Sequence, residues 1–422
     1  MKHKAIRPLF NKIVSKLFYN RYLHNIKSRY YNRFIYGKTL DKVKGKGHLN
    51  ILFFVQDMSM WKYEGLCELL KQDSRYDFQL IPWLLPFDSK EAQQKVDKQV
   101  EEYCSKKGYY FSRCLDIEKQ TYLPAKEFNP DIVVYTQPYN SGYHYWLIEK
   151  FWKKSLFIFT PYGEVQRNNY PELLYTFLQN IAHCLFYSSP IYKDMMKGNK
   201  NAKGSNIIIT GHPLYEEFKK RSSEQEFNHI SKRKRVIWAP HHAVIPGDAM
   251  LRSSFLEHAD QMISLTKEFP DIDFIFRPHP YLKRNLYNIW GKDKTEEYYQ
   301  EWTCNNRSYS EGGSYIELFL QSDGMIHDCC GFMFDYLLVN KPVMFMYNKG
   351  MANTFSPFGL EAFNAHYIGT NIEQIRSFLD NKIRKGEDDM RGIRTQMVAS
   401  QLAPPNSRTV SQNMKAELDK LF

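Results

Sequence analysis

The chain has 422 residues, of which 43% are hydrophobic, 16% aromatic and 25% charged. This is enough for two or three buried cores and excludes a largely disordered protein. The net charge of +12 is concentrated: residues 1–48 hold thirteen Lys or Arg against one acid, Asp41, so this arm carries the whole excess and the body is balanced. The seven cysteines are odd in number and fit no zinc spacing. No apolar run approaches the ~20 residues of a spanning helix, and no secretory apolar core follows the basic start. A cytoplasmic protein with free thiols is expected.

The arm opens with Ile6, Leu9, Phe10, Ile13, Val14 and Leu17 on one helical face and Lys4, Lys12 and Lys16 on the other. Beyond it, Arg21, Tyr22, Arg29, Tyr30, Tyr31, Arg33, Phe34 and Tyr36 mix cations with aromatic rings. This composition suits an anionic membrane surface. It is also compatible with a helix packed on its own domain, or with nucleic acid; no nucleic-acid-binding module follows, and none is expected as a partner.

After Gly45-Lys-Gly47, strands are expected at 49–56, 78–83, 132–135, 156–160, 183–187 and 206–210, with helices around 61–71 and 90–107. Residues 216–234 are charged and aperiodic and read as a linker. The alternation restarts with strands at 236–238, 274–276, 325–326, 343–346 and 367–368 and a helix at 255–269. A helical tail, broken at Pro404-Pro405, begins near 388. The organisation is thus an arm (1–48), a first Rossmann-like domain (49–215), a linker (216–234), a second Rossmann-like domain (235–387) and a tail (388–422), in the α/β class. Ligands in such sheets bind beyond the carboxyl ends of the strands.

Four motifs fall at those ends: Thr210-Gly211-His212-Pro213, Trp238-Ala-Pro-His241-His242, Arg277-Pro-His279-Pro280, and His327-Asp328-Cys329-Cys330-Gly331 running on to Asp335. Arg277 and His279 pair a fixed cation with a hydrogen-bond donor. Residues 329–331 stand where a helix starts, offering backbone N–H groups to a phosphate. Gly331 allows close approach, and Asp335 is placed for ribose hydroxyls. The plain alternatives are a strand exit at Arg277–Pro280, one buried and one solvated histidine at 241–242, and a structural His327–Asp328 pair. Two further alternatives are a metal held by His241, His242, His279 and Asp328, and a redox pair at Cys329–Cys330. No metal or other cofactor is expected.

In order and spacing these motifs, continuing to Asp335-Tyr-Leu and Asn340-Lys341-Pro342-Val343, resemble the CDP-glycerol glycerophosphotransferase family of teichoic acid and capsule synthesis. The resemblance covers roughly residues 205–350. It implies a GT-B fold, with two Rossmann-like domains facing across a cleft, and transfer of a polyol phosphate from a CDP-activated donor to a hydroxyl of a lipid-linked acceptor. It also implies metal independence and work on the inner membrane face, to which residues 1–48 would bind. Carried over by position, Arg277, His279, His241, Asp328, Cys329, Cys330, Gly331, Asp335 and Gly211 are the expected donor-binding residues, with His279 at the donor pyrophosphate.

Two departures stand out. The family's Asp-Tyr-Ser-Ser turn reads Asp328-Cys329-Cys330-Gly331 here, losing two hydroxyls. Its Trp-His-Gly-Thr-Pro stretch, which supplies the favoured base, corresponds to Phe159-Thr160-Pro161-Tyr162-Gly163-Glu164 and has no histidine. Glu164, His144, His242 and His279 are the catalytic candidates. The missing histidine leaves open a nucleotide-sugar glycosyltransferase, or a non-catalytic membrane adaptor of such a pathway.

Overall fold

The computed structural model describes residues 21–422 apart from 85–87, 124–127, 138–147, 149, 200, 224–232, 245–252, 312–313 and 349–353. The chain forms two compact units. The first comprises the residues up to Gly163 together with Tyr170–Pro213 and Pro404–Phe422; the second comprises Glu164–Asn169 and Leu214–Ala403.

The first unit is built on seven parallel strands: β1 (Leu49–Val55), β2 (Tyr76–Pro82), β3 (Tyr110–Phe111), β6 (Ile132–Tyr135), β7 (Leu156–Phe159), β8 (Cys184–Tyr187) and β9 (Ile207–Ile209). Their order is β3-β2-β1-β6-β7-β8-β9. Strands β4 (Leu115–Asp116) and β5 (Thr121–Tyr122) form a separate small hairpin. The central strands are apolar on both faces because helices cover both sides, as parallel crossovers require. Phe54, Trp83 and Tyr135 meet there, with ring centroids 5.2–5.7 Å apart.

The arm is partly an element of this unit. Arg21–Phe34 and Tyr36–Lys44 are helices. Tyr31 is fully buried and stacks on Trp152, Asn32 donates to the Asn180 carbonyl at 2.9 Å, and the Tyr36 hydroxyl meets His183 Nδ1 at 2.9 Å. The packed reading therefore holds for the His24, Ser28 and Tyr31 face. The amphipathic stretch at 6–17 lies outside the described residues.

The expected tail divides. Residues 388–403 stay with the second unit, while the helix Val410–Leu418 returns to the first. There Lys415 Nζ reaches Asp73 at 2.7 Å, and Asp419 takes Arg75 and the Tyr76 hydroxyl, each at 2.8 Å. Gly211, expected at the donor, serves this return instead. At φ +93° a side chain would be strained, and its Cβ would lie 2.6 Å from Pro404 Cα.

The second sheet has β10 (Lys234–Ala239), β11 (Ile272–Phe276), β12 (Arg307–Tyr309), β13 (Gly324–His327), β14 (Val343–Met346) and β15 (Tyr367–Gly369). All are parallel, in the order β12-β11-β10-β13-β14-β15. This is the doubly wound order 3-2-1-4-5-6, whose direction reverses between β10 and β13. Its core centres on Trp238, Phe276, Phe255 and Trp302, with centroids 4.9–5.5 Å apart. Each such side chain contributes about 1.5–3 kcal/mol by burial. The expected linker begins as a helix of this unit, Tyr215–Ser223, in which Arg221 pairs with Glu217 and Glu317.

Candidate functional site: an anion-donor cluster at the switch point

The ends of β10, β11 and β13 bring the second-unit motifs together. The ladder continues past the strands, with Arg277 N donating to the Trp238 carbonyl at 2.8 Å and His279 N to that of Pro240 at 3.0 Å. The prolines end the pairing and turn the next residues upward. His241, His242 and His279 are thereby clustered. Ring centroids lie 4.2 Å apart for 241–242 and 242–279 and 5.2 Å for 241–279, and one ring nitrogen of each falls within 4.8 Å of the others. Tyr281 closes one side, 5.7 Å from His242 and 5.4 Å from His279. Asn285 holds the His242 carbonyl at 2.9 Å.

Backbone amides fix two tautomers. Ala243 N–H donates to His241 Nδ1 at 3.2 Å, and Tyr281 N–H donates to His279 Nδ1 at 3.1 Å. A nitrogen that accepts carries no proton, so the neutral rings hold theirs on Nε2. Burial, reinforced by the neighbouring histidines, lowers His241 to about 3; burial and then His242 lower His279 to about 4. Both are uncharged near neutrality and present Nε2–H donors. A bound cation would need those Nε2 lone pairs and would push the protons onto Nδ1, against the amides. The donor set thus suits an anion better than a metal ion.

Asp328 is the hub beneath the cluster. It is buried, and burial raises its pKa despite the bonds that favour its charge. One oxygen accepts His241 N at 2.6 Å; the other accepts Ser253 Oγ at 2.8 Å, Ser254 N at 2.6 Å and Ser254 Oγ at 2.9 Å. These donors occupy the carboxylate, so Asp328 acts as scaffold where a ligand contact was expected. Arg277 is buried just beyond the end of β11, with Nη1 on Ser310 Oγ at 2.9 Å; burial lowers its pKa.

The turn after β13 leads into a single helical turn, Phe332–Asp335, continued as a 3-10 turn to Val339. Phe332 N and Met333 N bond to the carbonyls of Cys329 and Cys330 at 3.2 and 3.3 Å. Gly331 is exposed at the head of this turn. Cys329 is pushed up to about 12 and Cys330 higher, burial outweighing the helix start. Thiols held protonated do not suit the redox alternative. Asp335 points inward, buried and accepting the Tyr315 hydroxyl, which removes it from the expected ribose contact. His327 does not pair with Asp328; its Nδ1–H donates to the Cys329 carbonyl at 3.0 Å and supports the turn.

Glu164 is buried and belongs to the second unit by packing. His144 lies outside the described residues. Sequence reasoning missed Arg167, which packs with Glu164 on this unit and whose charge acts on both His241 and Cys330. It also missed Ser253 and Ser254, the partners of Asp328; only a Ser-Ser pair ahead of an amphipathic helix marked them.

Geometry and topology define a doubly wound, two-unit α/β protein with an anion-donor site at the switch point of its second sheet. Within that class, residues 168–353 match the family model of CDP-glycerol:poly(glycerophosphate) glycerophosphotransferase. The chain is 26% identical over 199 residues to the minor teichoic acid biosynthesis protein GgaB of Bacillus subtilis strain 168. That match takes in 45% of this chain and 21% of GgaB, so the chain spans about a fifth of that relative. The fold is similar to the wall teichoic acid polymerase TagF, with TM-score 0.58 and 14% identity over 99% of this chain and 96% of that one. It is also similar to the UDP-GlcNAc 2-epimerase of Neisseria meningitidis bound to UDP-GlcNAc, with TM-score 0.54 and 15% identity over 88% and 99% of the two chains. These structural likenesses show the fold.

Proposed function

We propose that the chain transfers a polyol phosphate from a CDP-activated donor to a hydroxyl of a lipid-linked, teichoic-acid-like acceptor. The observation that carries this is the pair of amide-locked imidazoles, His241 and His279, which hold Nε2–H donors at the strand ends of the family-matched segment that also contains Arg277. The acceptor oxygen attacks the β-phosphorus, the bond from that phosphorus to the bridging oxygen breaks, and CMP leaves with the electron pair. The acceptor proton passes to a base, for which Glu164 and His242 remain the candidates among the described residues. The imidazole donors and Arg277 stabilise charge on the leaving phosphate, as preorganised dipoles do. No metal is required by this scheme.

The reading includes the inner membrane surface as the place of work. Among the described residues no helix is long and apolar enough to span a bilayer. Helix Arg21–Phe34 supports surface contact: Leu23, Ile26, Tyr30 and Phe34 are exposed at helical spacing, flanked by Lys27, Arg29 and Arg33, and the helix carries no acid. Co-sedimentation with phosphatidylglycerol vesicles tests this; binding unchanged by serines at those four positions would remove the helix from the contact.

The test of the reaction is thermal shift with CDP-glycerol, CDP-ribitol, CMP, CDP and UDP- and GDP-sugars. A ligand at 100 times its Kd stabilises by about 2.7 kcal/mol. Stabilisation by CDP-polyols followed by CMP release supports the proposal. Stabilisation by nucleotide sugars alone selects the glycosyltransferase reading, which the histidine-free Phe159–Glu164 stretch favours. Absence of both selects the adaptor.

A further inference from the structure

The segment Glu164–Asn169 leaves β7 of the first unit but packs on the second. Its backbone is held at several points. Arg167 forms an antiparallel bridge with Phe355, Asn168 N donates to the Thr354 carbonyl at 2.7 Å, and Ser356 N donates to that of Gln166 at 2.7 Å. Ser356 Oγ adds a 2.7 Å bond to the Val165 carbonyl. Gly359 completes the seat, since a Cβ there would lie 2.1 Å from the Gln166 oxygen. A segment fixed so closely cannot slip in register, and it delivers one arginine to a set place.

That seat lies at the switch-point turn: Phe358, next to Gly359, packs on Phe334 of the turn after β13 with ring centroids 4.4 Å apart, and Phe355, the partner of Arg167, packs on Phe345 of β14 at 6.0 Å. The Arg167 charge accordingly acts on His241, beyond β10, and on Cys330, in the turn after β13, the two strands between which the sheet order reverses. The site needs such a charge. His241 and His279 are neutral donors, and its hub is the carboxylate Asp328. A diphosphate entering there meets N–H groups but little net positive charge unless fixed cations stand beside them. A guanidinium, permanently charged and forked, suits phosphate oxygens.

We propose that Arg167, strapped onto the second unit by its pairing with Phe355, is a second fixed cation of the donor site beside Arg277 and binds the diphosphate of the nucleotide donor. This rests on the proposed donor chemistry for the identity of the nucleotide, and on the geometry for the anion. The arginine contributes twice: it holds the ground-state diphosphate, and it stabilises the charge that gathers on the departing nucleoside monophosphate.

The experiment is calorimetric titration of the full chain with CDP, inorganic pyrophosphate and cytidine, for the unmodified protein, Arg167→Gln and Arg167→Lys. Arg167→Gln should weaken CDP and pyrophosphate at least tenfold and leave cytidine within twofold. The dependence of CDP affinity on salt should flatten with it. Arg167→Lys keeps the charge and should recover most of the loss, which a merely structural arginine would not show. A melting temperature for Arg167→Lys close to that of the unmodified protein establishes that the strap is intact, so the comparison stands even if the glutamine variant folds poorly. The inference is overturned if Arg167→Gln binds CDP and pyrophosphate like the unmodified protein, if cytidine falls in parallel, or if lysine fails to rescue in a folded variant. An unmodified protein that binds pyrophosphate but not CDP refutes the donor reading alone, and the pyrophosphate arm still decides Arg167. Binding neither refutes both.

Discussion

Asp328→Asn separates scaffold from ligand contact. The carboxylate uses one oxygen for His241 N and the other for Ser253 and Ser254. An asparagine can keep the three-donor side with its carbonyl, but its NH2 then faces the His241 amide. One hydrogen bond to a charged acceptor is lost, worth about 1.5–3 kcal/mol, and a buried donor is left unpaired at about 1–3 kcal/mol. Together these come to about 2.5–6 kcal/mol, centred near 4. For a unit of this size, at about 2–4 °C per kcal/mol, the melting temperature should fall by roughly 8–16 °C. Ser253→Ala removes only one of three donors on the other oxygen and should cost about 1 kcal/mol. Differential scanning calorimetry reads both. Because the His241 amide is released, CDP affinity should fall with stability in Asp328→Asn. A melting temperature within 2 °C of the unmodified protein would refute the hub, and unchanged CDP affinity would refute its link to the histidines.

His279→Asn retains an acceptor for Tyr281 N but loses the outward donor, whereas His279→Gln retains a donor near Nε2. Titration should show the asparagine variant binding CDP roughly 10- to 150-fold more weakly, the worth of one hydrogen bond to a charged group, with glutamine less affected. The free imidazoles titrate at about 3 and 4 and each Nδ1 accepts an amide N–H, so CDP should bind the neutral rings without loading a proton onto either between pH 7 and 5. Titrations in buffers of differing ionisation enthalpy measure proton uptake; uptake at pH 6 that disappears in His279→Asn would refute the tautomer assignment. Gly359→Ala drives a methyl into the Gln166 backbone, which cannot rotate away, and should destabilise by about 1–3 kcal/mol while weakening CDP binding through the displaced strap.

Where one stretch of chain carries its own signal, the sequence was legible. Lys90–Lys107, Ile132–Tyr135 and Val343–Met346 match their expected bounds because apolar runs and a Ser89 cap mark them locally. The cluster was legible for a topological reason: residues ending adjacent parallel strands meet beyond the sheet, so His241, His279 and the 328–331 turn had to be neighbours. What escaped depended on distant partners. A glycine at 211 looks the same whether it makes room for a phosphate or for Pro404. Asp328 reads as a ligand residue until Ser253 and Ser254 are seen to saturate it. Nothing around Tyr31 distinguishes a ring for a membrane from one buried on Trp152.

The two departures from the family pattern have different weight once the site is built. Losing the serine hydroxyls of the turn costs two donors, but the turn keeps its backbone, and His241 and His279 bring two Nε2–H groups to the same strand ends. The proposed donor site therefore keeps hydrogen-bond donors for a diphosphate, with altered side chains. The histidine missing from Phe159–Glu164 has no such local replacement in the sequence. That same stretch, however, runs directly into the strap that seats Glu164 and Arg167 on the second unit. A segment that in the family pattern supplies a base here places a carboxylate and a cation on the second unit, where the donor site is proposed. Glu164→Gln, assayed for CMP release with saturating CDP-polyol and acceptor, decides whether that exchange is catalytic. Turnover lost with CDP affinity intact makes Glu164 the base, and turnover retained leaves His242 to carry the proton.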